Sequence, residues 1–181
     1  MKTIFVALQL ALILFVPPSL AADEDPRNIT GYDKTVWGMS EDEVLTAEAP
    51  RAEKLEKPST MVNGDLVTIV IKGVETEGIQ FTAYFIFDSQ NRKLVNVSLQ
   101  SGADIGTDVG STLARIERVL TEKYGQPDEK NGESLLWKLP KTTIELLGVD
   151  LNLPILSANP VRMILISYRA ARLAADELKK R

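Results

Sequence analysis

The chain has 181 residues, of which 44% are hydrophobic and 25% charged, and this balance excludes a disordered or collagen-like protein. It contains neither cysteine nor histidine, so disulfides, thiolate nucleophiles, Ser-His-Asp triads and metal sites with thiolate or imidazole ligands are excluded. The 21 Lys and Arg residues are outnumbered by 25 Asp and Glu residues. A nucleic-acid partner is therefore disfavoured, because binding to phosphate backbones requires clustered positive charge.

Residues 1–21 have the three parts of a secretory signal peptide. Lys2 supplies the positive charge, an apolar run covers residues 4–16, and small residues precede a cleavage site between Ala21 and Ala22. The run is too short to span a membrane, which takes about 20 apolar residues, and no cysteine is present for lipid attachment. We therefore predict a periplasmic or secreted bacterial protein without stable membrane insertion after cleavage.

Residues 22–35 are polar and acidic, and we predict a flexible lead-in before a single domain over 36–181. The domain begins with a helix, since Ser40 and Glu43 have the spacing of a capping box. Pro50 limits the length of this helix. The segment 51–64 is charged and contains turn residues, so it is interpreted as a loop.

Three strands are predicted next, at 66–74, 80–87 and 94–100, because these segments are β-branched or alternate between apolar and polar residues. The alternation predicts that the second and third strands form a hairpin with directly paired residues of the same parity. Its turn is predicted to have a three-residue loop with Asn91 in the left-handed conformation. The buried face of the hairpin is then predicted to consist of Phe81, Ala83, Phe85, Val95, Val97 and Leu99.

The other face of this hairpin is predicted to be polar with two large exposed side chains, a mixture typical of protein-binding surfaces. We name Tyr84, Ile86, Asn96 and Ser98 as the candidate partner-binding residues. Two alternatives are an ordinary wetted sheet face and a face covered by the second half of the chain.

The second half repeats the order of elements. An apolar stripe predicts a helix that ends at Gly125, and three strands follow at 135–139, 142–149 and 161–168, before a terminal helix over 170–181. The predicted fold is α+β, with two tandem helix-plus-three-strand antiparallel units (αβββαβββ) at 36–101 and 107–169 and a C-terminal helix. The stripe consists of Val109, Leu113, Ile116, Leu120 and Tyr124.

Two stretches resemble small outer-membrane assembly lipoproteins of the BamE (SmpA/OmlA) type, whose layout β-lactamase-inhibitor-like proteins share. They are Gly38-Met39-Ser40-x-x-Glu43-Val44 at the first helix start and Lys123-Tyr124-Gly125-x-Pro127 with Trp137 after the second helix. The resemblance implies a protein-binding module without catalytic residues. The chain departs from the assembly lipoproteins because it has no lipidated cysteine and no Gly-x-Pro end on its first helix, so a role in outer-membrane assembly is not implied.

The sequence favours an exported, soluble, non-catalytic binding module that contacts a protein or a cell-envelope component. Gly102, Gly106 and Gly110 fit no nucleotide-binding spacing, and we predict no cofactor, metal ligand or catalytic residue. Two alternatives stay open: a carboxylate-based hydrolase of envelope polymers, and a small-ligand carrier with a pocket between helices and sheet.

Overall fold

A computed structural model describes residues 25–102, 109–132, 134–151 and 161–171. In these ranges the strands form one antiparallel sheet with the order β1-β2-β3-β4-β8-β7-β6-β5. The helices are α1 (Glu41–Ala47) and α2 (Val109–Tyr124), and the strands are β1 (Glu53–Thr60), β2 (Leu66–Thr76), β3 (Ile79–Phe87), β4 (Leu94–Ser101), β5 (Glu129–Asn131), β6 (Ser134–Lys138), β7 (Thr142–Leu151) and β8 (Val161–Ala170).

The predicted division into two helix-plus-three-strand units is wrong, because all the strands of the described ranges belong to a single sheet. Within these ranges each helix is followed by four strands, and the pairing of β4 with β8 joins the two sets at the centre. The prediction missed the edge strands β1 and β5, whose residues are nearly all exposed and so carry no alternating apolar pattern. β8 extends to Ala170, where the terminal helix was predicted to begin; residues 172–181 lie outside the described ranges.

The apolar core lies between one face of this sheet and the two helices. Ile116 and Leu120 of α2 and Val44 of α1 belong to the same buried cluster as alternate side chains of the central strands. Cross-strand pairs bring these strand residues into one layer, as period-2 alternation requires. The layer includes Ala83, Phe85, Val97, Leu99, Ile144, Leu146, Ile166 and Tyr168.

The predicted parity of the β3–β4 hairpin is confirmed, since Ala83 pairs with Leu99 and Phe85 with Val97. The predicted turn is wrong. Arg92, not Asn91, has the positive φ of 57°, and Phe87 pairs with Leu94 across a longer loop.

The register shifts by one residue between Phe87 and Ile86. Without this shift, the longer loop would pair residues of opposite parity along the whole hairpin. The extra residue is Val95, which lines a groove with Ile86 on the face away from the core. The assignment of Val95 to the buried face is therefore wrong, and Leu94 takes that place, fully buried.

The capping box predicted for α1 is confirmed. The Ser40 hydroxyl accepts a hydrogen bond from the Glu43 N–H, and the Glu43 carboxylate accepts one from the Ser40 N–H at 2.7 Å. Hydrogen bonds from the Ser40 N–H and the Ser40 hydroxyl to the Glu43 carboxylate lower the pKa of Glu43. The box orients α1 so that Val44, directly after Glu43, enters the core.

Replacing Thr68 with Val is expected to raise the free energy of unfolding by about 1 kcal/mol. Thr68 lies at the register shift between Val67 and Ile69 and is fully buried. Within the described residues its hydroxyl has no hydrogen-bond partner, and an unsatisfied buried polar group costs about 1–3 kcal/mol. Urea denaturation of Thr68→Val beside the wild type measures the change.

Thr142→Val is the matched control, because Thr142 is equally buried but its hydroxyl has hydrogen-bond partners. Its hydroxyl accepts a hydrogen bond from Trp37 Nε1 at 2.8 Å and donates one to the Ile29 carbonyl at 2.7 Å. This variant is expected to be destabilised by about 1–3 kcal/mol, since it leaves both partners unpaired. Equal losses in the two variants would show that the Thr68 hydroxyl is satisfied in solution.

Candidate functional site

The sheet has a second face, on the side away from the core cluster that includes both helices. We call this surface the open face. A continuous row of half-buried side chains crosses it from β3 to β6, because each residue is the direct cross-strand partner of the next. The row runs through Tyr84, Ser98, Ser167, Glu145 and Leu136.

The structure brings the four candidate partner-binding residues together on this open face. Tyr84 is the direct partner of Ser98, and Ile86 is the direct partner of Asn96. The expectation that both Tyr84 and Ile86 are exposed is wrong for Ile86, which is only 3% exposed. Ile86 therefore belongs to the floor of the surface, whereas the other three residues are half-buried.

A groove of about 300 Å³ lies over Ile86, between the open face and the turn that joins β1 to β2. Met61 and Val62 of this turn form the apolar rim of the groove. Met61 is 43% exposed and Val62 is fully exposed. The groove is lined by Met61, Val62, Asn63, Asp65, Ile86, Val95, Asn96 and Arg169.

Local hydrogen bonds hold the β1–β2 turn in the shape that presents these apolar side chains. The Met61 N–H donates to the Asp65 carbonyl at 2.8 Å, and the Gly64 N–H donates to the Met61 carbonyl at 2.9 Å. The Asn63 amide also donates to the Asp65 carboxylate at 2.8 Å. Gly64 has a φ of 90°, which favours glycine at this position. The exposure of Val62 is therefore a feature of an ordered turn.

The polar side of the groove comes from β4 and β8. Asn96 is the cross-strand partner of Arg169, and its side-chain oxygen accepts a hydrogen bond from the Ser167 hydroxyl at 3.1 Å. Apolar and polar walls therefore meet above Ile86. Such a groove can hold an apolar side chain of a partner and place hydrogen-bonding groups beside it.

The sequence interpretation missed the half of the open face that β6, β7 and β8 supply. Leu147 pairs with Leu165 on this face, and Leu136 lies one row away. The period-2 alternation within 134–138, 142–151 and 161–170 could have identified these residues. The charged composition and turn residues of 51–64 predict a loop, and nothing in this segment indicates its pairing with β2, so the sequence does not identify Met61 and Val62.

Comparisons with known proteins identify no relative of this chain. No protein-family model matches the chain, and neither the curated proteins nor the solved structures gave a match. The resemblance to outer-membrane assembly lipoproteins therefore stays a hypothesis. Within the part of the chain that the structure covers, no helix is long and apolar enough to cross a membrane, and no three carboxylates are grouped as metal ligands.

Proposed function

We propose that this protein is an exported, non-catalytic binding module that docks a folded partner protein on its open face. The observation that carries the proposal is the apolar pair Met61 and Val62, held in solvent beside the groove over Ile86. Among the residues that the structure describes, Val36 is the one other large apolar side chain this exposed. Adjacent exposed apolar side chains at a groove are typical of protein interaction sites.

The size and walls of the groove favour a partner that inserts one apolar or aromatic side chain. Protein interfaces draw most of their affinity from a few such anchors, each contributing about 2 kcal/mol or more. Tyr84 and Ser98 extend the open face beyond the groove. Their half-buried side chains can contact the remainder of a folded partner.

The edges of the sheet are less suited to binding than its open face. β1 is charged and contains Pro58, and β5 has three residues. Charged residues, proline and short length are the features by which proteins protect edge strands from pairing. The addition of a partner strand at an edge is therefore disfavoured.

The proposal is tested by a photo-crosslinking amino acid placed at position 62, with position 122 on the exposed side of α2 as the control. Each variant is expressed in the native host, and proteins crosslinked in the cell envelope are identified by mass spectrometry. A protein captured from position 62 and not from position 122 is then purified, and its affinity for the wild-type chain is measured.

Val62→Asp is expected to weaken this affinity at least tenfold, because a carboxylate would be desolvated where an apolar side chain is required. Val36→Asp is the matched control, since it places the same charge at an exposed valine outside the groove. This control is expected to change the affinity less than about twofold, as is usual for residues outside the centre of an interface. Equal effects of the two substitutions, or the same adducts at positions 62 and 122, would contradict the proposal.

A further inference from the structure

A second cavity lies on the helix side of the sheet. Its volume is about 710 Å³, within the range of about 300–1,000 Å³ typical of small-molecule sites. Residues 25–36, which we call the strap, form one wall, and Val119 and Lys123 of α2 form the other. Leu99 and Ile166 of the central strands lie at its base and are almost fully covered, so the accessible walls are the strap and α2.

The strap is fixed over the sheet at several points. The Thr142 hydroxyl donates to the Ile29 carbonyl at 2.7 Å. The Tyr32 ring packs against the Tyr168 ring with 5.2 Å between the centroids. Arg51 of the loop after α1 pairs with Asp33 of the strap and with the buried carboxylate of Glu48. The cavity is therefore bounded by ordered residues on both sides.

The inner end of the cavity carries phenol groups that stay protonated at neutral pH. Burial, together with the nearby carboxylates of Asp33 and Glu48, raises the pKa of Tyr32 to about 12, although Arg51 acts in the opposite direction. Burial also raises the pKa of Tyr168, and the neighbouring Tyr124 and Tyr32 shift it in the same direction. Neutral phenols can donate hydrogen bonds to a bound molecule.

The rim of the cavity favours an anion. Lys34 and Lys123 both lie there, and among the described residues neither forms an ion pair with a carboxylate. The Lys123 ammonium lies 5.1 Å from the centre of the Tyr124 ring. Of the two rim carboxylates, Asp33 forms an ion pair with Arg51, which also pairs with Glu48, and Asp25 accepts a hydrogen bond from the Arg27 N–H at 2.9 Å.

We infer that this cavity binds a small amphipathic carboxylate, with its hydrocarbon body between the strap and α2 and its carboxylate at Lys123. Ile29, Val36 and Val119 offer apolar surface to the hydrocarbon body, and Lys123, which has no carboxylate partner among the described residues, matches the head group. This site is independent of the proposed partner surface, because the cavity and the open face lie on opposite sides of the sheet.

Calorimetric titration of the full protein with decanoate, below its micelle concentration, tests the inference. Saturable one-to-one binding is expected. Val119→Trp fills the cavity and is expected to lower the affinity at least tenfold, whereas Glu122→Trp, the same substitution on the exposed side of α2, is expected to change it less than twofold. No saturable binding to the wild type, or equal effects of the two tryptophans, would overturn the inference.

Lys123→Gln provides a second test, which removes the positive charge without adding bulk to the cavity. It is expected to weaken decanoate binding several-fold and to leave the binding of the uncharged decanol unchanged. Unchanged decanoate affinity in Lys123→Gln would overturn the assignment of the carboxylate to Lys123. Val62→Asp is expected to leave decanoate binding intact, so failure of this site and failure of the open-face proposal are separable.

Discussion

Ile116→Ala is expected to lower the free energy of unfolding by about 2–5 kcal/mol, the usual cost of truncating a fully buried aliphatic side chain. Ile116 is completely inaccessible to solvent and lies in the cluster that joins α2 to the sheet. Its removal would leave a cavity between the helix and the central strands, because a side chain with four carbons is replaced by a methyl group.

Leu113→Ala is the matched control from the same helix. Leu113 is only partly buried at the margin of the core, so its truncation is expected to cost about 1 kcal/mol, in proportion to the smaller apolar area that it buries. Urea denaturation with an unchanged m value measures both changes. Equal losses for the two variants would show that α2 presents a different face to the sheet.

The contrast between these residues shows how closely periodicity specifies a helix face. The apolar stripe predicts that Val109, Leu113 and Ile116 are buried together. In the structure, Thr112 takes the buried place beside Val109 and Ile116. Gly148 of β7 lies beneath this end of α2, where an added Cβ would be 3.4 Å from Val109 and Leu113. The close approach of α2 to β7 at this glycine is a tertiary contact that the stripe does not encode.

The strands β3 and β4 could be predicted in detail because their alternation is local and strong. The same principle explains why β1 was missed, since a strand exposed on both sides has no reason to alternate. The pairing of β4 with β8 joins residues as far apart as Ser98 and Ser167. Nothing in the local pattern of either strand specifies its neighbour across that distance, so the single continuous sheet could not be predicted.

Local alternation also predicts part of the candidate site. Parity alone places Tyr84, Asn96 and Ser98 on one face, and the structure agrees. The covering of Ile86 depends on the turn at residues 61–65, which lies beside it only because β1 pairs with β2. The groove is therefore a product of long-range pairing, whereas the face on which it lies is a product of local alternation.

Raising the pH from 10 to 12 is expected to destabilise the protein through its buried tyrosines. An unfolded tyrosine titrates near pH 10, whereas burial raises the pKa of Tyr32 in the folded state to about 12. Below pH 10 both states are protonated, and the full stability is present. Between pH 10 and 12 the unfolded chain loses the proton that the folded chain retains, so the free energy of unfolding falls as the pH rises.

The expected loss from Tyr32 alone is about 2 kcal/mol at pH 12, since each pKa unit corresponds to about 1.4 kcal/mol. Burial shifts the pKa of Tyr168 in the same direction, so its contribution adds to that of Tyr32. Other groups also titrate in this range, and the variants Tyr32→Phe and Tyr168→Phe separate the contribution of each phenol from theirs.

Urea denaturation at intervals from pH 8 to pH 12 measures this dependence. Each single variant is expected to have a shallower fall than the wild type above pH 10, because phenylalanine has no proton to retain. The comparison rests on slopes, so any loss of packing or hydrogen bonding that shifts the whole curve of a variant does not affect it. A Tyr32→Phe curve parallel to that of the wild type from pH 10 to 12 would mean that the Tyr32 phenol ionises as readily in the folded protein as in the unfolded chain. The strap would then leave Tyr32 in contact with water instead of holding it against Tyr168, and the inner wall assigned to the helix-side cavity would be wrong.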